Sequence, residues 1–89
     1  MIKAQVASIS PTMSGSQQDS VITCPTDTVA IGPPVVYVKD TSNNVVADTN
    51  LHYSLLPSRN AKDFITDFTV FYRGTSGYTL HVELTCFSY

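Results

Sequence analysis

The sequence predicts an all-β fold: a single antiparallel β-sandwich, or small barrel, of about seven to eight short strands. Three observations carry this reading. Near the end of the chain Tyr78, Leu80, Val82, Leu84 and Cys86 fall in one phase, and Thr79, His81, Glu83 and Thr85 in the other. Such strict alternation marks a strand with one buried and one wet face. Turn signals made of Gly, Pro, Asn and Ser recur roughly every 8–12 residues. No window keeps helical periodicity over three turns.

The first strand is read from Ile2, Ala4, Val6 and Ser8 alternating with Lys3, Gln5, Ala7 and Ile9. Residues 11–20, Pro-Thr-Met-Ser-Gly-Ser-Gln-Gln-Asp-Ser, are polar and punctuated by Pro and Gly, which predicts an exposed loop. Residues 1–20 are thus expected to form an N-terminal arm and loop on a single domain spanning 1–89. A short strand over residues 21–24 places Ile22 and Cys24 on one face and stops at Pro25. Residues 29–31 form another, ended by Gly32-Pro33-Pro34, because two successive prolines remove ladder donors. The valine-rich runs at 35–38 and 45–47 flank Ser42-Asn43-Asn44, and Asn tolerates positive φ, so the pair reads as a hairpin. A strand over 51–56 is expected to end at Pro57. In residues 64–72, Phe64, Thr66, Phe68, Val70 and Tyr72 alternate with Ile65, Asp67, Thr69 and Phe71. Both faces of that stretch are substantially apolar, as in a central strand or one covered by a neighbouring subunit.

Composition narrows the function. A chain of 89 residues holds one core and buries only about 60–65 % of its unfolded surface. Such a domain needs a staple or a partner for robust stability. Charged residues are 13 % of the chain, with five basic and seven acidic groups giving a net charge of −2, against a usual charged share of roughly 25 %. There is no basic stripe for a phosphate backbone, so nucleic acid is not an expected partner. No apolar run reaches the roughly 18–20 residues that span a bilayer, so no membrane contact is expected. Met1-Ile-Lys-Ala-Gln-Val alternates and lacks the apolar run of a signal peptide. With Met1 as the native start the chain is expected to be made in the cytoplasm and not exported by the general route, and otherwise to be extracellular.

The candidate chemistry is sparse. His52, Asp48 and Ser54 lie within one extended stretch, whereas hydrolytic triads are assembled across a fold around a strained nucleophile turn. Asp63, Asp67 and Glu83 are candidates for paired carboxylates but need a cleft. Asp40, Asn43, Asn44 and Asp48 lack the order of a calcium loop and read better as a turn. The sequence therefore predicts no enzyme, no cofactor and no metal site. Its five Tyr and four Phe occur without Trp. Phe87 and Tyr89 end the chain outside the inward phase, while Ile65 and Phe71 form the second apolar face of their strand. These four are the interface candidates, since exposed aromatics mark protein contacts or sugar-stacking platforms.

Cys24 and Cys86 are the two cysteines. Paired, they close a loop of roughly 60 residues and contribute about 4 kcal/mol through the unfolded chain. Unpaired, they serve as small buried apolar residues. Without C-x-x-C spacing they supply at most half a zinc shell. The segment Thr23-Cys24-Pro25-Thr26-Asp27-Thr28-Val29-Ala30-Ile31-Gly32 resembles a bacterial and phage module of the form Cys-Pro-x-Gly-x-x-Ala-Ile-Gly-Gly-Gly. That module ends in an alternating strand followed by cysteine, as here, and often carries a Gly-Trp upstream, where this chain has Asp63-Phe64. Asp27 stands at the expected Gly, Pro33-Pro34 at the second and third glycines, and Phe64 at the Trp. Such modules occur in bacterial surface proteins and in phage fibre and virion proteins. The resemblance implies a disulfide-closed β-sandwich in which Cys24 pairs with Cys86.

Together these observations predict a structural virion protein, a phage capsid decoration or cement protein on the virion surface. Its expected form is a homotrimer docked on the major capsid protein. The alternative is a glycan-binding adhesin or a fibre-tip receptor-binding domain, which the resemblance and the polar, Tyr-rich surface favour.

Overall fold

The computed structural model describes residues 4–88. Its strands are β1 (Ala4–Ile9), β2 (Gln18–Thr23), β3 (Thr28–Ala30), β4 (Val35–Lys39), β5 (Val45–Val46), β6 (His52–Arg59), β7 (Ile65–Arg73) and β8 (Thr79–Ser88). No helix occurs among the described residues. Two antiparallel sheets result. One is ordered β1-β8-β4-β5, with β3 also paired to β8, and the other is ordered β2-β7-β6. The all-β, two-sheet class read from the sequence is therefore the observed one.

β8 organises the larger sheet. β1 runs along one side of it, from Ala4 opposite Phe87 to Ile9 opposite Val82. On the other side β4 pairs with its first half and β3 with its end. Between β3 and β4 the chain leaves the ladder at Gly32-Pro33-Pro34, where Gly32 takes a φ of 73°. One bond still holds across the break, from Ile31 N–H to the Thr85 carbonyl at 3.0 Å.

The alternation of β8 decides what lies inside. Leu80, Val82, Leu84 and Cys86 are fully buried against Ile22, Val38, Phe68, Val70 and Tyr72. Complete burial of a Val, Leu or Phe side chain contributes about 1.5–3 kcal/mol, so these residues set the sheet pairing. Tyr72 is buried with its hydroxyl 3.1 Å from Ser20 Oγ, which satisfies the polar tip of the ring. Cys24, just beyond β2, and Cys86 in β8 form a disulfide with Cα atoms 5.8 Å apart and 62 positions apart in sequence. It ties one sheet to the other.

Two elements differ from the sequence reading. Residues 11–20 are not simply an exposed loop, because Met13 is 1 % exposed and packs in the core. Its N–H bonds the Tyr78 carbonyl at 2.8 Å, its carbonyl accepts from Gly77 N–H at 2.9 Å, and Gln18 to Ser20 already belong to β2. A single methionine among polar residues gives no periodicity from which this burial could be read. Nor does Pro57 end its strand, since β6 continues to Arg59. β6 is an edge strand, and an edge tolerates a proline because only one of its sides is laddered.

Among the described residues three non-glycine residues take positive φ: Asp27 at 65°, Asn43 at 65° and Asp63 at 68°. Two of them share one construction. Asp40 Oδ1 accepts N–H bonds from Ser42 and Asn44, and Asn60 Oδ1 accepts them from Lys62 and Phe64. In each turn the residue three positions on, Asn43 or Asp63, closes the loop in the left-handed region. Asn and Asp visit that region more readily than other L-residues. Asp27 follows Pro25 in a turn held by Thr28, whose N–H and hydroxyl both bond the Pro25 carbonyl, at 3.1 and 2.6 Å.

Candidate functional site

Alternation along β7 turns Phe68, Val70 and Tyr72 inward and leaves Asp67, Thr69, Phe71 and Arg73 on the outer face of the three-stranded sheet, while Ile65, at the register shift opposite Arg59, packs against the core. The register sets their neighbours in rows: Thr23–Asp67–Ser58, Val21–Thr69–Leu56, Asp19–Phe71–Ser54, and Arg73 beside His52. Val21 is 53 % and Leu56 58 % exposed. An apolar strip thus crosses the middle of this face, with Phe71 beside it and a basic row at one end. Ile65 lies opposite Arg59 at the other end.

The outer face of the larger sheet is built differently. Tyr37 and His81, directly opposite on β4 and β8, stack with centroids 5.0 Å apart and planes at 9°. Tyr37 O–H donates to Glu83 Oε2 at 3.1 Å, and Ser10 Oγ lies 3.1 Å from His81 Nδ1. Tyr37 titrates above its ordinary value, first through loss of water around the phenol, then through the bond to Glu83 and its charge. Phe87 is on this face, half-buried between Ala4 of β1 and Val29 of β3. Of the interface candidates, Phe71 lies on the outer face of the smaller sheet, Ile65 packs against the core instead, Phe87 sits on the outer face of the larger sheet, and Tyr89 lies outside the described residues.

At the basic end of the smaller sheet there is a hollow of about 330 Å³ lined by Gly15, Thr49, Asn50, His52, Arg73, Gly74 and Thr75. A second depression of about 180 Å³, lined by Gln17, His52, Tyr53, Ser54 and Phe71, adjoins it at His52. One wall of the hollow is rigidly built. Asp48 Oδ2 accepts the Thr75 N–H at 2.9 Å, and Asp48 Oδ1 accepts the Thr75 hydroxyl at 2.7 Å and the Asn50 N–H at 3.0 Å. Burial would raise the Asp48 pKa, but these bonds from Thr75 and Asn50 outweigh it and hold the carboxyl below its ordinary value. Asn50 Nδ2 in turn donates to Thr75 Oγ1 at 3.1 Å. Gly74 is needed at this corner, since a Cβ there would lie 2.5 Å from Met13 Sδ and 2.8 Å from Asp48 Oδ2.

The constellations considered from sequence are taken apart by the fold. Asp48 is committed to Thr75 and Asn50, not to His52. Asp67 and Glu83 project from opposite faces of the sandwich. Asp40 organises its own hairpin turn. Among the described residues no three His, Cys, Asp or Glu side chains cluster as a metal shell would require. Arg73, Asn50 and Thr49 were not legible as a group in the sequence, because the β6–β7 register and the Asp48 corner bring them together from separate segments.

Fold and surface thus define a disulfide-closed, two-sheet β-sandwich in which both outer faces expose apolar side chains, Val6, Val35 and Val45 on the larger sheet and Val21 and Leu56 on the smaller, and only the smaller ends in a basic row. The chain matches no protein-family model, no curated protein and no solved structure.

Proposed function

We propose that this chain is a non-enzymatic structural protein of the virion surface, a capsid decoration or cement protein. It acts as a homotrimer docked on the major capsid protein. The observation that carries this reading is the outer face of the three-stranded sheet, where Val21 and Leu56 stay more than half exposed on either side of Thr69. A small, sparsely charged domain that leaves an apolar strip on its surface has the composition of a protein–protein contact. The module resemblance supports the virion assignment. Its expected glycines fall at Asp27 and beside Phe64 at Asp63, and both positions take the positive φ that glycine adopts freely.

The test is mass and sedimentation. Light scattering should return three times the chain mass of 9.7 kDa, and the protein should co-sediment with undecorated capsids. Leu56→Asp should abolish co-sedimentation while leaving the far-ultraviolet spectrum unchanged. A strict monomer with no affinity for capsids would sink the proposal.

A second reading, a glycan-binding module, is favoured by a different observation: the exposed Arg73 in the hollow lined by hydroxyl and amide groups. An array of glycans with no bound member would refute it.

A further inference from the structure

We infer that the paired hollows at the end of the β6–β7 face form a binding site for an acidic saccharide. The sugar carboxylate would be held by Arg73, and the sugar body would lie across His52 toward Phe71. The inference rests on the glycan-binding reading and adds to it the ligand class and the residues.

Charge and shape carry the argument. Arg59 forms the one ion pair among the described residues, with Asp63. Arg73 has no carboxylate partner among the described residues, although it stands in a concave part of the surface. A guanidinium presents a planar fork of donors matched to a carboxylate, and in such a position it lacks only that acceptor. His52, directly across the ladder from Arg73, adds a ring nitrogen on the same side. Thr49 and Asn50 supply a hydroxyl and an amide at the rim, the donor and acceptor types that read sugar hydroxyls. The adjoining depression brings Phe71 onto the same face, with Ser54 opposite it and Gln17 alongside. An aromatic ring next to polar groups offers a face for the C–H side of a sugar.

The nearby carboxylates do not occupy the site. Asp48 stands behind the Thr75 wall with both oxygens bonded. Asp19 shares the row of Phe71 and Ser54 but stands on the far side of β7 from Ser54 and lines neither hollow. The volumes, about 330 and 180 Å³, are at or below the small end of ligand pockets, roughly 300–1,000 Å³. That size suits one or two sugar rings. The open, polar lining does not suit an apolar ligand.

The experiment is a titration of the isotope-labelled full chain followed by amide NMR. The probes are a disaccharide ending in a uronic acid, the same disaccharide with its carboxylate reduced to hydroxymethyl, and sodium acetate. Saturable shifts at Asn50, His52, Ser54 and Arg73 are expected with the acidic sugar, with binding at least about tenfold weaker for the reduced sugar. Arg73→Gln should lose the same factor, and Arg73→Lys should recover part of it. Equal binding of the acidic and reduced sugars at these residues would overturn the inference and leave the glycan reading standing. Acetate matching the acidic sugar would overturn it in favour of a bare anion site. Shifts confined to Tyr37 and His81, or none with any probe, would also overturn it.

Discussion

Reducing the Cys24–Cys86 bond is the perturbation whose size the structure fixes best. The bond closes a 62-residue separation. The chain-entropy model gives such a loop about 14 cal/mol/K of lost unfolded-state entropy, or about 4 kcal/mol at room temperature. A domain of this length has a total stability of about 4–13 kcal/mol, at roughly 0.05–0.15 kcal/mol per residue. Its unfolding entropy is about 190 cal/mol/K, from roughly 2 cal/mol/K per residue. Removing the link should therefore lower the melting temperature by about 20 °C. The assay is thermal unfolding followed by circular dichroism, comparing oxidised protein with protein unfolded, reduced and refolded in reductant, and with Cys24→Ala/Cys86→Ala. Thiol counting must show two free thiols in the reduced sample. Because the link acts on the unfolded chain, the denaturant m-value should also rise on reduction, as the released chain exposes more surface. A fall of less than about 5 °C, or a large fall with unchanged m, would refute the reasoning.

The other expectations follow from single positions. Gly74→Ala should destabilise the fold by about 1–3 kcal/mol in urea unfolding, because the added methyl meets Met13 and Asp48 in a closed corner. Asp48 has a folded pKa below its unfolded value of 3.8. Its contribution to stability is therefore complete above that value and lost as pH falls through the folded one, so Asp48→Asn should flatten the acid limb of a urea-midpoint profile between about pH 5 and 2. Asp27→Gly should raise stability by up to about 1 kcal/mol, since the left-handed penalty it relieves exceeds the entropy that glycine adds to the unfolded chain. Pro57→Thr restores a backbone donor on the exposed edge of β6, and should give concentration-dependent association in light scattering beyond the parent's oligomeric mass.

Legibility in the sequence tracked the range of the forces. Period-two burial is local, so β8, β7 and the β4–β5 hairpin could be read from their own residues, and the inward phase of Cys86 with them. The turn at Asn43 was readable because its chemistry lies within a few positions. Met13 was not, because its burial depends on Gly74 and on the bond to Tyr78, contacts made across the whole chain. Pro57 misled for a similar reason: whether a proline ends a strand depends on which strand is at the edge. Phe71 was visible in a second phase of β7, but Ile65, in the same phase, packs against the core because the register shifts opposite Arg59. Arg73 reads in sequence as the polar start of a turn, and only the pairing of His52 with Arg73 places it at a hollow.

Both outer faces of the sandwich expose apolar side chains, Val6, Val35 and Val45 on the larger sheet and Val21 and Leu56 on the smaller, so what separates them is how their polar groups are used. On the five-stranded side the polar groups satisfy one another: Tyr37 bonds Glu83 and stacks on His81, and His81 meets Ser10. A ligand there must break bonds of about 0.5–1.5 kcal/mol each before it gains any of its own. On the three-stranded side Val21 and Leu56 stand exposed, and the Arg73 guanidinium makes no ion pair among the described residues. A partner gains apolar burial and a charge-assisted contact there without dismantling anything. The inward phase of β8 reinforces the difference, because it commits that strand, through Cys86, to holding the sheets together. β7 completes the core with its inner face, and its outer face, Asp67, Thr69, Phe71 and Arg73, is left outside the core. Binding is therefore expected to follow substitutions at Leu56, Phe71 and Arg73, and to be indifferent to substitutions at Val35 and His81.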